Sequence, residues 1–213
     1  MTPVTDPYYW SGTECLRNRL DIRDAGELER AEQEIVGLRS AELIARHLPG
    51  AYDTEHLQHF HRILFGDIYD WAGTLRTVRI HKGGTAFCFP QFLSGNLSAL
   101  FSGLAVDRYL LGLTHHSFMA KFAALYGELN ALHPFREGNG RTQRAFLRQL
   151  AAAAGWQVRW EMLTKQENDD ACASYFQSME AKVLVDLMAP AVSALGGAQL
   201  ASHRGTQFHK TKD

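Results

Sequence analysis

Apolar residues return at helical spacing along most of the chain. From Glu27 to about His47 the positions Leu28, Ala31, Ile35, Leu38 and Ile44, with Leu48 just beyond, predict a first amphipathic helix. Asp53 or Thr54 is placed to cap a second, which carries Leu57, Phe60, Leu64 and Ile68 and runs into Trp71-Ala72-Gly73. The period then changes. Residues 77–81 and 86–89 read as short strands around Lys82-Gly83-Gly84-Thr85, and Gly-Gly between two such runs signals a hairpin. A lone hairpin makes no sheet core, so it is expected to lie on a helical body.

Helical spacing resumes at Pro90 and predicts a helix to about Phe101. A further helix is expected over residues 117–132, with Phe118, Phe122, Leu125 and Leu129 on one stripe. Another carries Ala145, Phe146, Leu150, Ala151 and Ala154 and ends near Gly155. Thr164 and Glu167 form a capping box, and the last helix is expected over residues 178–195, kinked or ended by Pro190. Tyr8, Tyr9 and Trp10 suit an N-terminal strap. The fold class is all-α with one hairpin: a single domain over residues 1–195 and a loose tail over 196–213.

Composition narrows the function. A length of 213 residues supports one sizeable core, and 46% hydrophobic with 21% charged residues is that of an ordinary globular protein. A net charge of −1 argues against a general nucleic-acid surface, so a nucleotide needs a local cluster of cations. No apolar run approaches a membrane span and no leader pattern opens the chain. Cys15, Cys88 and Cys172 are odd in number and far apart, which fits reduced thiols in a cytoplasmic protein. His56, His59 and His61 permit a metal site by position but lack a matching Cys or carboxylate set. They are expected at the surface or its boundary.

The chemistry is concentrated in His133-Pro134-Phe135-Arg136-Glu137-Gly138-Asn139-Gly140-Arg141-Thr142-Gln143-Arg144. Pro134 disfavours a helical His133, which leaves the imidazole on a loop as a base at neutral pH. Phe135 points inward as an anchor. Glu137 is an oxygen ligand for Mg²⁺ shared with phosphates. Gly138 and Gly140 let backbone N–H groups face an anion at a helix N-terminus, and Asn139 is placed to donate to a phosphate oxygen. Arg141 and Arg144, three apart, share one face and suit a polyphosphate. Any one of these residues alone fits a solvated helix end better; together they point to phosphate chemistry. A Walker loop and a His-Glu-x-x-His zinc site are absent.

The twelve residues from His133 to Arg144 resemble the signature of the Fic family, His-x-Phe-x-Asp/Glu-Gly-Asn-Gly-Arg-x-x-Arg, at every defined position. Residues 65–76 resemble the family's segment before its flap hairpin, and residues 82–87 the flap; together the likeness spans about residues 20–185. It implies the Fic fold, a helical bundle with a flap over the active site: a flap hairpin at about 77–89 and the signature loop and helix at 133–154. It implies transfer of AMP from ATP to a protein hydroxyl. His133 would be the base, and Glu137 would hold Mg²⁺ between the α- and β-phosphates. Asn139 would steady the α-phosphate, and the Gly138–Gly140 backbone would form the anion hole. Arg141 would meet the β-phosphate and Arg144 the γ-phosphate. Lys82, Gly83, Gly84 and Thr85 of the flap would register the target by β-augmentation.

Many relatives carry an inhibitory Ser/Thr-x-x-x-Glu-Gly/Asn helix. Here only Glu137 and Glu167 precede Gly or Asn, and His133 and Leu163 stand four places earlier, so neither fits. The resemblance then implies a toxin restrained by a separate small helical antitoxin that presents such a Glu to Arg144. It also implies subunits of DNA gyrase and topoisomerase IV as targets. The alternatives are another donor (UMP, phosphocholine or phosphate) or a silent nucleotide-binding module.

Overall fold

The computed structural model describes residues 6–82 and 85–196, with only the backbone at Thr85. The tail beyond residue 196 lies outside the described residues, as do Gly83 and Gly84. Helix α1 (Ala25–Ala45) is capped by Asp24, and α2 (Thr54–Phe65) by Asp53, whose side chain accepts from the His56 N–H. The hairpin β1 (His81–Lys82) and β2 (Thr85–Ala86) pairs His81 with Ala86 and Lys82 with Thr85. Its ladder is shorter than the sequence pattern suggests. Helices α3 (Pro90–Val106) and α4 (His115–Leu132) precede α5 (Asn139–Ala153), the helix of the signature. Then come β3 (Trp156–Val158), α6 (Lys165–Ser178) with its Thr164–Glu167 capping box, α7 (Lys182–Met188) and β4 (Val192–Ala194).

Helix α5 is the centre of the molecule. Phe146, Leu147, Leu150 and Ala151 are fully buried and join Phe118, Phe122 and Leu129 of α4 and Phe60 of α2 in the main core. Each such aromatic contributes about 1.5–3 kcal/mol by leaving water. A second, smaller cluster joins Cys15, Leu28, Val36, Phe65 and Tyr69, so the strap and α1 lie against α2. Trp71 packs in this second cluster, stacked on Tyr69 at 4.3 Å.

Three expectations need correcting. The inward face of α1 is Leu28–Glu32–Val36, while Leu38 and Ile44 are 70% and 63% exposed; a carboxylate occupies the stripe because a cation waits opposite it. His56 and His61 are buried, not at the surface, because both nitrogens of each ring bond to backbone groups. The helix expected over 178–195 breaks at Met179, which is left-handed, and ends at Met188; Val192–Ala194 then pairs antiparallel with Trp156–Val158 as a second ladder.

Candidate active site

Helix α4 runs straight into the signature. His133 is its C-cap, left-handed at φ 47° and ψ 62°, and its N–H still closes the last turn on the Leu129 carbonyl. Left-handed backbone at a non-glycine residue is sparsely populated and is held only by its surroundings. The chief holder is Arg76. Its buried guanidinium donates to four carbonyls, of His133 (2.8 Å), Leu132 (3.2 Å), Val78 (2.7 Å) and Cys88 (2.5 Å). The end of α4 and both legs of the hairpin therefore meet on one side chain. Arg76 had no visible signal beyond its place in the segment before the hairpin.

The imidazole of His133 is half-buried and stacked on Phe87 at 3.9 Å. Its Nδ1 lies 3.2 Å from the Asn130 carbonyl, which only accepts, so the proton sits on Nδ1 and the Nε2 lone pair is open. Burial, with smaller help from Arg76 and Lys82, lowers its pKa to about 4, so the ring is neutral at pH 7.

Below the loop, Phe135 is fully buried and stacks on His61 at 3.9 Å, and His61 stacks in turn on Phe65. The Nε2 of His61 donates to the Glu137 carbonyl while Nδ1 accepts from the Gly73 N–H. Gly138 caps α5 at φ 77°, and a Cβ there would lie 2.2 Å from the Phe65 ring, so no side chain is admitted. Asn139 has a structural task as well. Its amide accepts from the Phe135 N–H and donates to the Phe135 carbonyl, each at 2.8 Å, which braces the loop.

Helix geometry leaves the N–H groups of Asn139, Gly140 and Arg141 without intrahelical acceptors, and the helix dipole adds positive potential there. The two arginines differ. Arg141 is paired with Glu32 at 2.5 Å and, at 3.4 Å, with Glu137, and its guanidinium lies over the Phe65 ring. Arg144 has no hydrogen bond or ion pair among the described residues, and it folds back so that a Cβ on Gly140 would meet its Nη1 at 3.2 Å. Glu137 spends one oxygen on the Gly138 N–H and Arg141, and its carboxylate is 44% exposed.

These groups open into one cavity of about 910 Å³. His133, Glu137 and the two arginines line it, as do Lys82 from the hairpin and Asn168 from α6. Lys82 is tied to Asp169 at 3.0 Å, which draws the hairpin toward α6 across the mouth. Sequence reasoning missed Glu32, whose one signal is an acid in the apolar stripe of α1. It also missed the clamp on Arg136, which pairs with Asp6 at 2.9 Å and lies over the Tyr9 ring.

The Fic/DOC family model matches residues 51–151. Over 165 residues the chain is 42% identical to the probable protein adenylyltransferase Fic of Escherichia coli K12, covering 76% of this chain and 80% of that protein. It is 40% identical over 162 residues to protein adenylyltransferase VbhT of Bartonella schoenbuchensis, covering 76% of this chain but 34% of that longer protein. The crystal structure of the effector BepC from Bartonella tribocorum, with AMPPNP bound, superposes with a TM-score of 0.80 at 26% identity over 89% of this chain and 97% of that one. The chain belongs to the Fic/DOC family.

Proposed function

We propose that the chain is a protein adenylyltransferase, moving AMP from ATP to a hydroxyl side chain of another protein. The observation that carries this is the placement of His133: Nδ1 against the Asn130 carbonyl, which leaves Nε2 free of a protein partner among the described residues, beside a helix N-terminus flanked by two guanidinium groups. The acceptor oxygen attacks the α-phosphorus, its proton passes to Nε2, the α–β anhydride bond breaks and pyrophosphate leaves. The triphosphate's own negative charge raises the imidazole pKa as it binds, which makes Nε2 a better base in the complex than in the free protein. The N–H groups of α5, Arg141 and Arg144 neutralise the phosphates, so the protein's part is positioning and electrostatics.

The donor set at Glu137 fits Mg²⁺. One carboxylate beside the phosphate site is enough when the nucleotide supplies the other oxygens, and no group of three or more His, Cys, Asp or Glu able to hold a metal occurs among the described residues. When bound, Mg²⁺ would withdraw charge from the phosphates; Glu137 would be the residue that holds it. Paired incubations with ATP labelled at the α- or the γ-phosphate test the assignment. α-label should enter protein and γ-label should not; label arriving from the γ-position would replace adenylyl transfer by phosphorylation.

The regulatory half of the proposal is a toxin and its antitoxin. Arg144 lacks a carboxylate partner among the described residues, which suits a small helical antitoxin whose Ser/Thr-x-x-x-Glu-Gly/Asn motif supplies one. Subunits of DNA gyrase and topoisomerase IV are the targets we propose, on the family resemblance. Labelled ATP added to a bacterial lysate, followed by identification of the modified band, tests this; bands that exclude topoisomerase subunits overturn it.

A further inference from the structure

The Glu32 carboxylate takes no part in the transfer scheme, yet it reaches the site from a helix outside the signature. Its side chain is 9% exposed. One oxygen accepts from Arg141 Nη2 at 2.5 Å and the other from the Tyr69 hydroxyl at 2.5 Å. Tyr69 is itself buried and stacked between Phe65 and Trp71. Arg141 is thus held from below by the Phe65 ring and from one side by Glu32, while its Nε and Nη1 have no partner among the described residues. Glu137 competes for the same Nη2 from 3.4 Å.

We infer that Glu32 is a positioning residue for the transfer step: with Tyr69 it grips Arg141 by one nitrogen, aims the open edge of the guanidinium at the phosphates, and keeps that charge from closing further onto Glu137, now 3.4 Å away. The inference rests on the adenylyl-transfer assignment above. The geometry favours aiming over simple attraction. A carboxylate on Arg141 offsets part of the cation's pull on ATP, so Glu32 adds little to binding, and its gain lies in a fixed donor direction as charge shifts toward the leaving pyrophosphate. A guanidinium freed from Glu32 has Glu137 as its nearest anion. It would then swing off the phosphates and occupy the carboxylate that the metal needs.

The test is a double-mutant cycle. Glu32→Gln keeps the shape, removes the charge and leaves one acceptor for two donors. AMP incorporation from α-labelled ATP should fall about tenfold or more at saturating ATP, while the Kd for AMPPNP by calorimetry changes less than about threefold. In an Arg141→Ala background, adding Glu32→Gln should cost less than about twofold more, because the residue through which Glu32 acts is gone. Transfer unchanged in Glu32→Gln, AMPPNP binding weakened with the saturated rate intact, or losses that multiply in the double variant would each overturn the inference. Should Glu32→Gln melt below the assay temperature, Tyr69→Phe carries the same cycle, with a smaller loss that must again vanish with Arg141→Ala. Wild-type protein that binds no AMPPNP would overturn the adenylyl-transfer assignment and the inference together; wild-type that labels protein while Glu32→Gln matches it overturns the inference alone.

Discussion

The floor and the rim of the signature loop are each built on a histidine, and the two rings are alike in most respects. His61 on the floor and His133 on the rim each stack on a phenylalanine at 3.9 Å, and burial lowers both pKa values to about 4. They differ in their nitrogens. His61 spends both, accepting from the Gly73 N–H and donating to the Glu137 carbonyl. His133 spends only Nδ1, on Asn130. A perturbed pKa therefore does not set the proposed base apart from the other rings in this molecule; an unspent nitrogen does. His56 belongs with His61, since its ring bonds to the Tyr52 N–H and the Leu48 carbonyl.

Removing the rim histidine has the largest expected effect. His133→Ala should cut AMP incorporation about 10²–10⁴-fold while the melting temperature and AMPPNP binding hold. Activity retained in that variant would erase the distinction. His61→Ala should do the reverse in kind: it strands the buried Gly73 N–H and the Glu137 carbonyl and opens a gap under Phe135, costing about 3 kcal/mol of stability in chemical denaturation. A stable His61→Ala protein that fails only in catalysis would move His61 into the mechanism.

Acid sharpens the pair further. A histidine with a folded pKa of about 4 binds fewer protons folded than unfolded between pH 4 and its ordinary value near 6.5. The stability that His56 and His61 contribute is therefore whole above about pH 6.5 and falls away as pH drops toward 4. Denaturation midpoints measured across that window should decline, and His61→Phe should flatten part of the slope; a flat wild-type profile would contradict the burial of both rings. The smallest effect is expected at the strap. Asp6→Ala releases Arg136 from a partly buried pair, costing about 1 kcal/mol and seen as faster amide exchange in residues 135–138.

How much of this was legible depended on sequence distance. The signature could be read because its working groups lie within twelve consecutive residues, and the turn, the helix start and the cations follow from that order. The α2 and α4 stripes and the capping box at Thr164 are likewise local patterns. What failed was long-range. The register of α1 could not be fixed without knowing that Arg141, 109 residues away, would draw Glu32 inward. The burial of His61 needs Glu137, 76 residues on, and the β3–β4 ladder joins Trp156 to Ala194 across two helices. Residues 178–195 read as one helix because helix and buried strand look alike in short apolar runs. The Asn139 brace was hidden for another reason: its type suits a phosphate donor and a loop brace equally, and only the loop's curvature brings the Phe135 backbone to it.

The Arg76 fork sets a dimension for whatever protein is modified. Because one guanidinium grips the carbonyls on both legs of the hairpin and those around the imidazole, the edge where an incoming chain would align and the atom that takes its proton share a single origin. An acceptor segment laid along that edge, as the proposed transfer requires, would have its hydroxyl presented at a set number of residues from the point of pairing. Under the proposed transfer, selection among hydroxyls would be a matter of spacing along the acceptor, with its side-chain chemistry secondary.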